Sequence, residues 1–133
     1  MNTSIAERLT RLDWAEIGES LDEWGHARTP ALLTPSECAE LRTLYADSAR
    51  FRSRVDMVRY RFGVGEYKYF SEPLPPLVRE IRERAYPPLA VIANRWEAAL
   101  KTRVRHSADL AGLLALCARR GQKKPTPLLL RYD

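Results

Sequence analysis

The sequence contains few of the residues on which common catalytic sites depend. Its 133 residues include two cysteines and two histidines. Cys38 and Cys117 sit at apolar positions among helix-favouring residues, so we interpret them as small core thiols rather than as a disulfide. No serine or cysteine has the elbow-like context of a hydrolytic nucleophile, which argues against His26 or His106 as the base of a triad.

Long hydrophobic runs are also missing. No stretch approaches the roughly 18 apolar residues of a membrane span, and the opening MNTSIAERLTRLDW has neither a basic leader nor an apolar run. We therefore expect a cytoplasmic protein with no membrane partner. With 45% hydrophobic and 29% charged residues, the composition is typical of one globular domain, and we predict a single domain over residues 1–133.

The charge is unevenly distributed along the chain. Residues 1–49 hold nine acids against four bases, whereas residues 50–133 hold eighteen bases against eight acids. A basic half of this kind attracts nucleic acid or small anions such as carboxylates. The arginines are nevertheless scattered through several elements, and solvated helix faces explain most of them.

The first third of the sequence predicts three helices. Apolar spacing over residues 4–24 indicates two short helices that break near Asp13 and end at Gly25. After an extended segment, Thr34 has the properties of an N-cap, and Glu37 completes a capping box.

Residues 54–70 change to an alternating pattern around the glycine turn at residues 63–65. This pattern predicts two strands or one bent strand. No helix follows the Gly-x-Gly directly, so a turn is favoured over a phosphate loop. Tyr67 and Tyr69, on either side of Lys68, have the chemistry to stack on nucleic acid, but an edge strand is the favoured interpretation.

Three helices are predicted after these strands. The first runs from Pro76 to about Ala85 and is broken by the prolines at 87 and 88. The second carries an apolar stripe formed by Leu89, Ile92, Ala93, Trp96 and Leu100.

The last helix, over residues 108–120, is predicted to begin with Ser107 as its cap. Its inward residues are predicted to be Leu110, Leu113, Leu114 and Cys117. His106 and Asp109 are three residues apart, whereas a facial metal pair on a strand is two apart, so we interpret Asp109 as part of the helix start. A final strand follows, and the order of elements predicts an α+β fold.

Three segments resemble a known family: VDMVRYRFGVGEYKYF, PLPPLVREIRERAYPPLAVIANRWEAAL and GQKKPTPLLLRYD. They are similar to the N-terminal half of a bacterial family of 2-oxoglutarate and Fe(II)-dependent oxygenases, near the prolyl-4-hydroxylase-like group. The resemblance extends from about Gly25 to the last residue. It implies the helix-rich N-terminal part of a double-stranded β-helix, or jelly roll, in which most core strands are missing.

The resemblance also implies how the chain relates to a catalytic site. The strand matching residues 128–132 leads into a loop, after which such enzymes place their His-x-Asp iron ligands. Tyr132 is the one residue carried over, as a hydrogen-bonding partner of a 2-oxoglutarate carboxylate. Fe(II) and 2-oxoglutarate would serve full-length relatives, whereas this chain alone is expected to bind neither, to contain no catalytic or metal-binding residue and to be inactive.

Partners follow from the same resemblance. Full-length relatives would act on a small molecule or a peptide, and nucleic acid is not the expected partner. The apolar helix faces at residues 89–100 and 110–117 favour self-association, and the terminal strand would be an unpaired edge. The alternative is a non-catalytic basic module that binds a protein or nucleic acid through Arg119, Arg120, Lys123 and Lys124.

Overall fold

A computed structural model describes residues 3–61 and 63–132. Within these residues the chain forms five α-helices and a three-stranded antiparallel sheet, which confirms the predicted α+β class. The helices are α1 Ile5–Thr10, α2 Trp14–Trp24, α3 Pro35–Leu44, α4 Pro76–Ala99 and α5 Leu110–Arg119. The strands are β1 Phe51–Asp56, β2 Glu66–Phe70 and β3 Leu128–Arg131.

The chain divides into two compact units. The helical unit contains Met1–Leu33 and Arg79–Gln122, and the sheet unit contains Thr34–Val78 and Lys123–Asp133. That residues 1–133 form a single domain stays a prediction. In the part of the chain that the structure describes, no helix is both long enough and apolar enough to cross a membrane.

Side-chain caps fix the starts of the two N-terminal helices, which break near Asp13 as the sequence predicts. The Ser4 hydroxyl accepts a hydrogen bond from Glu7 N at 3.1 Å, and the Asp13 carboxylate accepts one from Glu16 N at 3.0 Å. Each satisfies a main-chain donor that the first turn leaves unpaired. Gly25 ends α2 with a left-handed φ of 75°, a conformation that glycine adopts without a steric penalty.

The core of the helical unit is small. Ile5 and Leu9 of α1 and Ala90 and Ile92 of α4 are each at most 5% exposed. Full burial of one such aliphatic side chain larger than alanine contributes roughly 1.5–3 kcal/mol. Gly18 of α2 faces Ile92, and a Cβ added at this glycine would lie 3.6 Å from the isoleucine side chain.

The predicted break in α4 is wrong, since the helix continues through both prolines. The fixed φ of proline is compatible with a helix, and the cost lies in lost N–H donors and crowding against the preceding turn. Contacts on both sides of the pair offset this cost. Tyr86 donates a hydrogen bond to Ser107 O at 2.9 Å, and Ala90 and Ile92 are buried after it.

The predicted apolar stripe of this helix is only partly buried. Ile92 is buried, whereas Leu89, Trp96 and Leu100 are exposed. Trp96 Nε1 instead donates to the Asp22 carboxylate at 2.5 Å. Self-association through these faces stays a prediction.

The cap of α5 lies two residues later than predicted. Asp109 accepts a hydrogen bond from Gly112 N at 2.8 Å, whereas the Ser107 carbonyl accepts the Tyr86 hydroxyl. Leu114 was predicted to face inward but is 40% exposed, whereas Leu113, Leu116 and Cys117 are half-buried on the covered face. Cys38 and Cys117 are free thiols, as predicted, but each is half-buried.

The sheet unit has the strand order β1-β2-β3, with both pairs antiparallel. β2 is therefore the central strand, and the prediction of an edge strand for Tyr67–Tyr69 is wrong. β3 bonds to β2 on one side, with Tyr67 opposite Leu130, and among the described strands it lies at one edge of the sheet, as the sequence predicts. Its approach is fixed by Phe70 N, which donates to Pro127 O at 2.9 Å.

The first strand is offset from its predicted position. β1 begins at Phe51 and ends at Asp56, and the next residues form a turn over Val58–Tyr60 rather than continuing the alternation. The Asp56 carboxylate accepts a hydrogen bond from Val58 N at 3.1 Å, and this local bond competes with strand pairing. Phe62, in the predicted alternating run, lies outside the described residues.

The predicted capping box of α3 is present. Thr34 and Glu37 exchange hydrogen bonds of 2.9 and 3.1 Å between side chain and main chain. Beyond α3, the rings of Phe51 and Phe70 stack at 4.9 Å, and Phe70 is fully buried. This aromatic pair forms the centre of the sheet unit.

Candidate functional site

A groove of about 520 Å³ lies in the sheet unit between the end of α3 and β3. It is lined by Leu41, Arg42, Tyr45, Ala46, Leu129, Leu130, Arg131 and Tyr132. The groove contains Tyr132, the residue that the sequence analysis selected. It is therefore the first place to examine for a binding function.

Two local features of the sequence bring the polar residues of this region together. The capping box fixes where α3 starts, and Tyr45 follows its last turn. The antiparallel register places Glu66 of β2 opposite Arg131 of β3. As a result, Tyr45, Glu66 and Arg131 meet at one end of the groove.

Glu66 is the centre of this polar cluster, with a side chain only 19% exposed. Its Oε1 accepts a hydrogen bond from the Tyr45 hydroxyl at 2.8 Å. Its Oε2 accepts a hydrogen bond from Arg54 Nε at 2.7 Å, and Arg54 Nη2 forms a second contact with the same oxygen. Arg131 Nη1 lies 4.0 Å from Oε1, so one carboxylate is in ionic contact with two arginines.

These contacts set the protonation states of the cluster. The hydrogen bond from Arg54, followed by that from Tyr45, lowers the pKa of the Glu66 carboxyl below its ordinary value. Burial, followed by the hydrogen bond to Glu66, raises the pKa of Tyr45 to about 12. At neutral pH the carboxylate is therefore an anion and the phenol is a proton donor.

Lys68 fixes Tyr45 from a second direction. Its ammonium donates to Tyr45 O at 2.7 Å and lies 4.1 Å from the centre of the Tyr45 ring. A cation at this position also interacts favourably with the C-terminal end of α3. The wall of the groove at Tyr45 is thus ordered before any ligand binds.

Tyr132 is the exposed member of the groove. Its side chain is 63% exposed, and its ring lies against Gly65, where an added Cβ would stand 2.8 Å from Tyr132 Cδ1. Within residues 3–61 and 63–132, no hydrogen bond engages its hydroxyl. The hydroxyl is therefore accessible to solvent or to a ligand, and its role towards 2-oxoglutarate stays a prediction.

The described residues do not form a donor set for iron. Non-haem iron sites need two histidines and a carboxylate that face one cavity. No group of three or more His, Cys, Asp and Glu side chains is brought together in residues 3–61 and 63–132. The main-chain N and O of His106 bond to Asn94 at 2.6 and 3.0 Å, and Asp109 caps α5, as the sequence analysis predicted for its carboxylate.

His26 lines a separate cleft of about 570 Å³ within the helical unit. Asp13 and Glu16 line the same cleft, but the Asp13 carboxylate is engaged in capping α2. The His26 carbonyl accepts a hydrogen bond from the Ser20 hydroxyl at 2.8 Å. This cleft therefore offers no assembled metal site.

Sequence reasoning did not identify the Tyr45–Glu66 pair. Tyr45 was assigned to the apolar stripe of α3, and Glu66 was passed over as one residue of a strand. A signal was available for Glu66, because it is the one acid between Met57 and Phe70, in a segment with three arginines or lysines. An isolated acid in a basic strand pair is a candidate for a partly buried ion pair.

Comparison with known proteins assigns the family. A family described as an oxygenase, catalysing oxidative methylation of damaged DNA, matches residues 65–133, which is slightly more than half of the chain. No curated protein and no solved structure matches the chain. The matched range contains β2, α4, α5 and β3, together with Glu66 and Tyr132 of the cluster and the groove. The chain belongs to this oxygenase family.

Proposed function

We propose that the chain supplies the helices and first strands of an oxygenase that depends on Fe(II) and 2-oxoglutarate and has the fold of a double-stranded β-helix. The family match over residues 65–133 carries this proposal. The resemblance to 2-oxoglutarate oxygenases extends from about Gly25 to the last residue, includes the matched range and adds the cofactor requirement. In this proposal the sheet unit is the beginning of the larger sheet that surrounds the reaction site.

Tyr132 is the proposed contact to 2-oxoglutarate. Its exposed hydroxyl can donate a hydrogen bond to a carboxylate, and such charge-assisted bonds are stronger than neutral ones. Arg42 and Arg131 line the same groove and make its potential favourable for an anion. Tyr45 and Glu66 do not contact 2-oxoglutarate in this proposal, and their role is to hold the wall of the groove in place.

Iron has no place among the described residues, so we derive no reaction step through it. By the resemblance, the His-x-Asp ligands follow the loop after the strand equivalent to β3. When bound in a complete site, iron would supply the activation of oxygen. We infer that residues 1–133 alone do not turn over 2-oxoglutarate.

The proposed substrate of the complete enzyme is a damaged base in DNA. This choice is supported by the description of the family, which names damaged DNA. It replaces the small molecule or peptide that the resemblance alone suggested. The basic balance of residues 50–133 is favourable for a polyanionic substrate.

The coding DNA beyond codon 133 provides the test. We expect His-x-Asp to be encoded, in some reading frame, within about fifty codons, which is several times the usual length of a connecting loop. If no such codons are present, the proposal fails. The intact mass of the protein from its source cells then shows whether the residues that follow are translated with the chain.

A second test is biochemical and uses the 133-residue chain itself. The chain is incubated with Fe(II), 2-oxoglutarate, oxygen and a methylated oligonucleotide, and succinate is measured. We expect no succinate above the level without protein. Sustained succinate formation would contradict the inference that these residues lack a complete site.

A basic interaction module is the second candidate function. Arg119, Arg120, Lys123 and Lys124 are all exposed and lie within six residues of sequence. Reversal of these four charges would abolish polyanion binding if this segment were the functional surface. Unchanged binding would remove the support for this candidate.

A further inference from the structure

The connection between β1 and β2 forms an exposed hairpin tip, which we define as residues 57–61 and 63–65. A short 3-10 turn over Val58–Tyr60 opens the tip, and Arg61 follows with a left-handed φ of 60°. Two-residue hairpin connections favour small polar residues such as asparagine and glycine. This longer tip contains Gly63 and Gly65, but it also carries two arginines, a tyrosine and two valines.

The apolar side chains of the hairpin tip are exposed to solvent. Val58, Tyr60 and Val64 are 56%, 55% and 68% exposed. Single exposed apolar residues need no explanation, but several within one short turn mark an interaction surface. The hairpin tip therefore presents apolar surface to solvent rather than burying it in the core.

Main-chain hydrogen bonds order the base and the first turn of the hairpin tip. Met57 N donates to Gly65 O at 2.9 Å, and Tyr60 N donates to Met57 O at 3.1 Å. Asp56 adds a side-chain bond to Val58 N at the base of the turn. A tip that is already ordered loses less conformational entropy when it binds.

Two positive charges project from the same turn. Arg59 and Arg61 form no ion pair with a carboxylate of the described residues. The nearest acids in sequence are engaged elsewhere, because Asp56 accepts from Val58 N and Glu66 holds Arg54. The guanidinium of Arg59 lies 6.0 Å from the centre of the Tyr60 ring, so charge and aromatic surface are presented together.

We propose that the hairpin tip contacts DNA, an inference that rests on the proposed function. Arg59 and Arg61 bind backbone phosphates, and Tyr60 stacks on an unpaired base. Phosphate contacts by arginine supply affinity without sequence preference, and aromatic stacking tolerates any base. Val58 and Val64 are placed to contact the sugar and base edges beside the stacked base.

The test measures binding of a fluorescent single-stranded oligonucleotide of about twenty nucleotides to the full chain, between about 50 and 200 mM salt. One variant carries Arg59→Gln with Arg61→Asn, because asparagine tolerates the left-handed φ at position 61. A second carries Tyr60→Ala. The matched control, Arg79→Gln with Arg84→Gln, removes the same charge from exposed positions of α4.

We expect the Arg59→Gln, Arg61→Asn variant to bind roughly a hundredfold more weakly at about 50 mM salt. The magnitude of its slope of log K against log salt should be smaller by about two. Tyr60→Ala should weaken binding about tenfold with little change in slope. The control pair should change affinity far less than the tip pair. Thermal unfolding of each variant checks that it remains folded.

Two results would overturn the proposal. One is the absence of DNA binding by the wild-type chain at low salt, and the other is an equal loss in the tip and control pairs. Binding is measured without iron or 2-oxoglutarate, so its failure leaves the oxygenase assignment intact. Conversely, the lack of downstream His-x-Asp codons would refute the proposed function without changing the binding result.

Discussion

The Tyr45 hydroxyl donates a hydrogen bond of 2.8 Å to the Glu66 carboxylate, joining the end of α3 to the central strand of the sheet. The two residues are 21 positions apart in sequence, so the bond forms only when the sheet unit is assembled. The arginine on the other oxygen lowers the pKa of the Glu66 carboxyl, so the acceptor of this bond is an anion at neutral pH. Two pH-dependent predictions follow from this pair.

At alkaline pH, Tyr45 should ionise near pH 12, well after an ordinary tyrosine. Because its pKa is raised in the folded state, its contribution to stability is fully present below about pH 10 and is lost as the pH rises towards 12. An absorbance titration of phenolate should show a tyrosine that titrates near pH 12 and that Tyr45→Phe removes. Burial also raises the pKa of Tyr86, so that tyrosine should still titrate late in the variant. Titration of every tyrosine near pH 10 in the folded protein would contradict this assignment.

At acid pH, the relevant group is Glu66. Its pKa is lowered on folding, so its stabilising effect is present above its unfolded pKa and is lost as the pH falls through the folded value. Glu66→Gln should lower the melting temperature at pH 7. In a plot of melting temperature against pH, the variant should also lose less stability than the wild type on the acid limb, as the pH falls. Glu40→Gln, at an exposed position of α3, serves as the control and should leave that limb unchanged.

Substitution of Gly65 should disturb the end of the β2–β3 pair. An alanine Cβ would lie 2.8 Å from the Tyr132 ring and 3.0 Å from Arg131 O, so the end of β3 must move. We expect faster amide exchange at Leu130 and Arg131 in Gly65→Ala. Combining this change with Tyr132→Ala separates the two clashes, because only the ring clash is relieved in the double variant. Unchanged exchange in Gly65→Ala would show that the close approach does not exist.

Substitution by alanine should change the stability of the protein in opposite directions at two helical glycines. At Gly18, an added Cβ meets Ile92 and Arg95 at ordinary contact distances, so Gly18→Ala should stabilise α2 by roughly 0.5–1 kcal/mol. At Gly112, the Cβ would lie 2.8 Å from Ser107 Cβ, and the Ser107 carbonyl is held by Tyr86. Gly112→Ala should therefore be destabilising in denaturant unfolding. If both variants were stabilised, or both destabilised, the packing described at one of the two glycines would be contradicted.

Local chemistry made much of the fold predictable. The Thr34–Glu37 capping box and the Gly25 helix end depend on neighbours within four residues, and each occurs where the sequence indicates. The continuity of α4 could not be predicted in this way. Its prolines are strong local breakers, and the Tyr86–Ser107 bond that helps to offset them joins residues 21 positions apart.

The candidate site was less accessible to sequence reasoning than the fold. Tyr132 was selected by resemblance, and its place in the groove depends on β3 pairing with β2. The sequence pattern indicates that Tyr45 is an ordinary apolar position of a helix, and only the assembled sheet gives it a carboxylate partner. Spatial partners of this kind have no local signature in a single sequence.

The pairing of β3 with β2 has a consequence for the order of folding. β1 and β2 form a hairpin closed by a short turn, whereas all of α4 and α5 separates β2 from β3 in sequence. Closing that long loop is entropically more costly than closing the hairpin. The hairpin should therefore form early and β3 should join late. Destabilising changes in β3 would then act mainly on the unfolding rate, whereas changes in β1 would slow folding.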